Sequence, residues 1–386
     1  MVAPYTRSYY ASNPPTMLAG RFGGGFAGAV QLGGVALAGS FDGPVTPTWL
    51  QSQPLNTWVE IAGTSGAGGA SIDAYSGMTL RPDTSEIFIA LAGGHQDSSD
   101  NRVVSIKLTD NAPAWTLRNP SSTVFAEDVA YYPDGKPSSR HTYGHLHWSA
   151  TKQRLVTLGA RFVFGQPGEQ QPTVDTFNPA TNTWDAAGTN PNAPAGWYGE
   201  VLDANGDGWS FLTPALGARK WTASTGAWSN PGVTVPTGWV RRPWVLDTLR
   251  GSLFGLCWKD NENQPSAPTA VNAVRHTGTT QTAITFNASA ALTQFQADQS
   301  YYAGMCYDAD NDRFLWYSGQ GAAAGRVYVI TPNAGTVWDM SILSASGSLP
   351  GTPASGLNAR IVYVPSLKVV VVLTKSADNL RFMRTA

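Results

Sequence analysis

Charge is what this sequence has least of. Only 13% of its 386 residues are Asp, Glu, Lys or Arg, and the formal net charge is −1. Surface helices draw on Glu, Lys and Arg for their solvent faces, so the shortage argues against a helical fold. The near-neutral balance, with no basic run, leaves no electrostatic footprint for nucleic acid or an anionic membrane. Cysteine is equally scarce. Cys257 and Cys306 cannot make a disulfide framework, and both sit in apolar strand-like segments, LFGLCW and AGMCYD, where buried free thiols are common. Long apolar runs are also missing. The uncharged stretch 22–41 carries seven glycines and Gln31. Each glycine weakens a helix by about 1 kcal/mol relative to alanine, so the stretch reads as an extended glycine-rich arm and not as a membrane span or signal peptide.

What is abundant points to short strands and tight turns: 41 Gly, 26 Pro and 14 each of Trp, Tyr and Phe. A strand, a polar turn and a second strand recur as LRPDTSEIFIAL (80–91), WSATKQRLVTLG (148–159), LDANGDGWSFLT (202–213), VLDTLRGSLFGL (245–256), YDADNDRFLWYS (307–318) and YVPSLKVVVVLT (363–374). Downstream of most copies a further strand and turn close on an aromatic residue: Trp115, Trp184, Trp228 and Trp338, with Phe286 in the fourth unit. Four strands per unit, in units that cannot bury their own faces, are the blades of a propeller. After the sixth turn only one strand fits, 379–385, while 56–61 repeats the NTW pattern ahead of the first complete unit. The expected fold is therefore an all-β, six-bladed propeller closed by an N-terminal strand, with residues 1–48 as the glycine-rich arm and 49–386 as the propeller.

With NPATNTW (178–184) and the paired glycines Gly93 and Gly94 of LAGGHQ, the chain resembles the Kelch-repeat family and the related propeller of galactose-oxidase-like proteins, over about residues 55–386. The resemblance speaks for fold more than for function. The copper oxidases of that group need a Tyr–Cys crosslink, two imidazoles and a further tyrosine. Here His141, His145 and His147 cluster in RHTYGHLHW, with His95 and His276 elsewhere, but both cysteines fall in other blades. No metal and no cofactor are expected. Asp203-Asn205-Asp207-Gly208 and Asp308-Asp310-Asp312 alternate oxygens like calcium loops, yet lack the closing glutamate and read as hairpin turns.

Eleven residues before each aligned turn stand Tyr75, Tyr143, Trp197, Val240, Tyr302 and Asn358. Two residues on stand Gly77, His145, Gly199, Arg242, Gly304 and Arg360, with Arg140 and Arg241 nearby. If this face meets the channel mouth, aromatic platforms and guanidinium groups form a ring suited to sugar or peptide recognition, with Tyr75, Arg140, Tyr143, His145, Trp197, Arg242, Tyr302 and Arg360 as its candidate binding residues. The competing expectation is that the aromatics wedge between blades. A sialidase-like enzyme is the catalytic alternative, casting Arg140, Arg242, Arg360, Tyr302 and Glu200 in its parts, although the Asp-box repeat is missing and no carboxylate pair stands at acid and nucleophile spacing.

The first 48 residues show no helical period, unlike the partner domain that precedes the propeller of an intracellular Kelch adaptor. A low-charge propeller with such an arm most resembles bacteriophage virion components. The expected function is thus a non-enzymatic structural or binding protein of a virion, or otherwise of the extracellular or cell surface. Other virion subunits or symmetry mates would contact Phe22, Phe26, Leu37 and Phe41 of the arm, and a host-surface glycan would contact the ring. Neither nucleic-acid binding nor membrane insertion is expected.

Overall fold

The computed structural model describes residues 46–386 apart from 74, 95–96, 166–172, 194–199, 213–215, 236–242, 259–270, 299–302, 318, 320–324 and 354. The arm residues Phe22, Phe26, Leu37 and Phe41, and the ring candidates Trp197, Arg242 and Tyr302, lie outside the described residues.

Short β-branched and aromatic runs separated by polar turns form successive four-stranded antiparallel sheets. The first comprises Thr79–Arg81, Glu86–Ala90, Val103–Lys107 and Trp115–Asn119. The second comprises Leu146–Ser149, Arg154–Leu158, Val174–Asn178 and Thr183–Trp184. The third comprises Glu200–Leu202, Gly208–Phe211, Ala218–Trp221 and Trp228–Ser229. Trp244–Asp247, Ser252–Trp258, Val271–Thr277 and Thr280–Phe286 form a fourth set, and Gly304–Asp308, Arg313–Tyr317, Val327–Thr331 and Val337–Leu343 a fifth. These two sets join edge to edge, with Phe286 opposite Trp338 in parallel pairing.

The last set is Ile361–Val364, Val369–Val372 and Arg381–Arg384. Thr57–Glu60 lies antiparallel beside Arg381–Arg384, with Trp58 opposite Met383, and takes Ser346–Gly347 in parallel on its other edge. In each set the fourth strand carries the aromatic residue that ends the repeat, Trp115, Trp184, Trp228, Phe286 and Trp338, with Trp58 of Thr57–Glu60 in that place beside the last. Among the described residues there is one α-helix, Ala290–Asp298, whose entry is capped by Ser289 Oγ accepting the Leu292 N–H at 3.0 Å.

Central strands such as EIFIA (86–90) are buried along their whole length, because sheets pack on both of their faces. Phe88, Leu155 and Phe177 join the first sheet to the second, and Val156, Leu158 and Trp221 the second to the third. Phe211 and Leu253 join the third to the fourth, Phe254 and Phe314 the fourth to the fifth, and Tyr317 and Val372 the fifth to the last. Ile87 and Val104 pack with Val371 and Phe382, so the last sheet also meets the first. Each fully buried side chain of this kind stabilises the fold by about 1.5–3 kcal/mol. The first strands of the sets touch in the same cyclic order, Thr79–Arg81 through Leu146–Ser149 and onward to Ile361–Val364 and back. The molecule is thus mostly β, in multiple sheets whose packing is consistent with a β-propeller.

Candidate functional site

Where the inner strands begin, the backbone is unusual. Tyr75, Tyr143 and Asn358, which occupy the same place in the repeat, all have left-handed φ values of 55°, 39° and 52°. Residues with a β-carbon adopt this region rarely and at a cost of about 1–3 kcal/mol, so the surrounding structure must impose it. Here a backbone bond does so: the Tyr143 N–H donates to the Tyr75 carbonyl at 2.9 Å, linking one sheet to the next.

Around this mouth three side chains form a hydrogen-bonded chain. Asp97 Oδ2 lies 2.7 Å from His141 Nε2, and His141 Nδ1 lies 3.0 Å from Tyr143 Oη. The imidazole is buried, whereas the Asp97 side chain is 45% exposed. Tyr75 stands 4.8 Å from the His141 ring, and Phe162, also left-handed at 55°, stands 5.5 Å away. A carboxylate only accepts hydrogen bonds, so Nε2 must carry the proton facing Asp97. In its neutral form that tautomer presents a lone pair at Nδ1, to which Tyr143 Oη–H can donate.

The loop that delivers Asp97 depends on one close approach. Gly94 has φ 91°, and a β-carbon there would fall 2.3 Å from the Phe162 carbonyl oxygen and 2.4 Å from Arg140 Cα. The Gly94 N–H donates to Ser98 O, and the Asp97 N–H to Gly94 O, each at 2.8 Å. The double glycine noticed in LAGGHQ therefore positions the first member of the chain.

Tyr143 also lines a cavity of about 410 Å³ walled by all six inner strands. Its described wall is largely apolar, with Leu80, Leu202, Leu246 and Val362 among the lining residues. Polar groups interrupt it, among them Thr79, Asn358, Glu200 and His147. Glu200, with a side chain 2% exposed, accepts from Ser210 Oγ at Oε1, 3.0 Å. His145 Nδ1 lies 2.8 Å from Glu200 Oε2 but also 3.1 Å from the Leu158 carbonyl, to which it is aligned to donate. His147 lines the same wall. Burial, aided by the charge of His145, pushes it down to about 3, so it is neutral at ordinary pH.

The structure places the expected ring residues unevenly. Tyr75, Tyr143 and His145 gather at or beside the mouth. Arg140 and Arg360 do not present guanidinium groups there, because both are completely buried. Arg140 is held by Ser138 O at 3.0 Å, Ala130 O at 2.9 Å, Thr173 Oγ1 at 2.5 Å and Asp175 Oδ2 at 3.2 Å. Arg360 donates to the Ile72 and Gly356 carbonyls, and burial pushes it down to about 10. These two expectations are corrected: both arginines fasten loops together. The oxygen-rich turns are likewise occupied internally. Lys220 Nζ stands 2.9 Å from Asp207, Asp203 Oδ1 accepts the Asn205 N–H at 2.8 Å, and Arg250 holds Asp312. Among the described residues no three His, Cys, Asp or Glu side chains gather as a metal site. Asp97 escaped the sequence reading, and His141 was noticed only as one of a histidine cluster.

No protein-family model and no curated protein matches the sequence. Solved structures resemble it. A GH74 enzyme of Niastella koreensis matches at TM-score 0.45 and 14% identity over 84% of this chain, which spans about half of that enzyme, 51%. A gluconolactonase of Xanthomonas campestris matches at TM-score 0.43 and 11% identity, over 86% of this chain and 98% of that one. A chain of a mitotic checkpoint complex matches at TM-score 0.47 and 10% identity, over 92% and 99%. Such likenesses identify neither substrate nor reaction for this chain. Enzymes nevertheless stand among the matched structures, which runs against the expected non-enzymatic virion component. That expectation, and with it the expectation of no catalysis, is withdrawn.

Proposed function

We propose that the protein is a propeller enzyme that moves protons at the mouth of its axial cavity, with Tyr143 as the group that meets substrate. The observation that carries this reading is the Asp97–His141–Tyr143 chain. Asp97 holds the Nε2–H tautomer, His141 Nδ1 takes the phenolic proton, and the Tyr143 oxygen thereby gains basicity at the moment it withdraws a proton from substrate. The reverse transfer makes the same tyrosine a general acid. Side chains in this role contribute about 10²–10⁴-fold to rate. Tyr75 and Phe162, with rings 4.8 and 5.5 Å from the imidazole, hold it in place beside Tyr143 and support the reading. A sialidase-type arrangement is not favoured, since Arg140 and Arg360 are sealed inside the protein.

As scaffold we propose a Kelch-like ring of six blades in which Thr57–Glu60 completes the last. The pairing of Trp58 with Met383 and the packing of the last sheet on the first support that closure.

The tautomer and the chemistry are tested separately. Nitrogen-detected NMR of the imidazoles at neutral pH should find His141 protonated at Nε2 and not at Nδ1. Among aryl glycosides, uronides and lactones, any compound turned over should lose about 10²–10⁴-fold in kcat with Tyr143→Phe. An Nδ1–H tautomer, or unchanged turnover by Tyr143→Phe, defeats the assignment.

A further inference from the structure

The Asp97–His141–Tyr143 chain begins and ends in different compartments. Tyr143 lines the axial cavity, whereas Asp97 lines a second pocket, of about 550 Å³, between loops of the first and last sheets. His141, 4% exposed, belongs to neither wall. The polar part of the second pocket's described wall is Ser71, Asp73, Asp97, Ser98 and Ser376, and glycine and alanine supply the rest. Most of these groups are occupied within the protein. Asp73 Oδ1 accepts the Ser376 N–H at 3.0 Å, and Asp73 Oδ2 accepts the Ser376 hydroxyl. Ser71 Oγ donates to Ser98 Oγ at 3.1 Å. Asp97 differs, because its side chain is 45% exposed while its Oδ2 stands 2.7 Å from the buried imidazole. It meets water on one side and His141 on the other.

The described cavity wall offers a proton no comparable exit. Its titratable groups are Glu200, paired with His145; His147, buried and neutral; and Cys306, Tyr307 and Tyr363, whose protons burial holds in place. Burial also disfavours a lasting imidazolium at His141, so a proton received at Nδ1 is better passed on than kept. We propose that Asp97–His141–Tyr143 is a proton conduit from the axial cavity to the polar pocket, with Asp97 as its port to water. The inference rests on the reactive-mouth reading and gives the withdrawn proton a destination. As Tyr143 Oη takes a proton from substrate, its own passes to His141 Nδ1. The Nε2 proton then moves to Asp97 Oδ2, and the carboxyl releases it to water in the pocket. Tyr143 ends as a phenol, Asp97 as a carboxylate and His141 as the neutral Nδ1–H tautomer. When product regains a proton, water protonates Asp97 and the same steps run backwards, restoring Nε2–H. The reaction class is therefore one in which a substrate gives up one proton and recovers one from solvent.

The test reads the exchange of the His141 Nε2 proton with water, by NMR of the full chain without substrate. Asp97→Asn keeps an oxygen that accepts from Nε2 but cannot take the proton, and should slow this exchange roughly 10²-fold. Asp97→Glu, which keeps a carboxyl, should hold it within about tenfold of the wild type. Ala377→Trp adds bulk at an exposed position of the pocket wall, and should slow the exchange while leaving the Nε2–H tautomer signal in place. Exchange that neither Asp97→Asn nor Ala377→Trp slows overturns the conduit. Turnover separates the two readings. Activity lost in Tyr143→Phe with exchange unchanged in Asp97→Asn removes the conduit and keeps the reactive tyrosine, whereas exchange slowed in Asp97→Asn with activity unchanged in Tyr143→Phe supports the port and removes the tyrosine's role.

Discussion

Two buried histidines make the fold sensitive to acid in a window where carboxylates are not yet the cause. His276 packs against the edge of Trp209 at 4.5 Å and against Phe211 at 5.4 Å. Burial pushes it down from 6.5 to about 4, against smaller opposing pulls from the Gly278 backbone and Asp203. His147 is pushed from 6.5 to about 3. Because both folded values lie below the unfolded one, the unfolded chain binds more protons between them, and stability present above pH 6.5 is lost as pH falls. Each histidine costs about 1.4 kcal/mol per pH unit below 6.5 until its folded value is reached. At pH 4.5 the pair together would cost about 5 kcal/mol, reduced to about 3–4 because His147 borders an open cavity. For a chain of this size that is a fall in Tm of roughly 5 °C. Asp312, which Arg250 holds below the usual carboxylate range, begins to contribute only at lower pH. Thermal and urea unfolding between pH 7.5 and 4.5 should show the decline, and His276→Leu should halve its slope. A flat profile in the wild type, or a His276→Leu profile parallel to it, would refute the reasoning.

Trp58→Ala removes a side chain that is 1% exposed and packs with Tyr317 and Val372, so it should cost about 3–5 kcal/mol. Light scattering should find that removal of residues 1–63 causes aggregation through the exposed strand edge, whereas removal of 1–48 does not; equal behaviour would argue against ring closure. Gly94→Ala places a β-carbon against the backbone of Phe162 and Arg140, and should both destabilise by about 1–3 kcal/mol and break the Asp97–His141 contact, detected as loss of the Nε2–H tautomer signal.

The repeat was legible because turns and outer-strand aromatics are local signals. The polar hairpins and the residues from Trp115 to Trp338 stand in the strands where the pattern put them. The helix Ala290–Asp298 was not legible. It has few charges, only Phe295 and Asp298 are buried, and its anchoring by Asp298 to Arg326 and Tyr328 joins residues 28 and 30 positions apart. Asp97 was invisible for the same reason, since its partner His141 lies 44 residues away in the next sheet. The placement of Arg360 failed on periodicity. Counting by twos assumes extended backbone, but Asn358 is left-handed two residues before Arg360. Arg140 lies in a short strand whose register against Arg161–Val163 shifts. At Asn358 the alternation of faces is broken where it was counted, whereas Arg140 entered the set only as a sequence neighbour of the counted positions.

Among the described copies the mouth position follows from packing one sheet on the next, and one copy carries the Asp97–His141–Tyr143 chain. Gly77 faces the Tyr143 carbonyl so closely that a β-carbon would lie 2.0 Å from it, and Gly304 faces the Asn358 carbonyl at 2.5 Å. In each case a glycine of one sheet makes room for the left-handed residue of the following sheet. The bare backbone there is a rule of assembly, shared by copies that carry Tyr and Asn at the left-handed place. In the second sheet the corresponding position is not glycine but His145, whose side chain reaches Glu200 in the third. The same sheet carries His141 two residues before Tyr143, and the loop from the first sheet brings Asp97 to it. Among the described copies, the left-handed backbone at Tyr143 is the one set beside the imidazole and carboxylate of His141 and Asp97. In the proposed enzyme such an off-centre placement would give proton transfer a direction, because proton donor, acceptor and cavity wall then differ from one side of the cavity to the other.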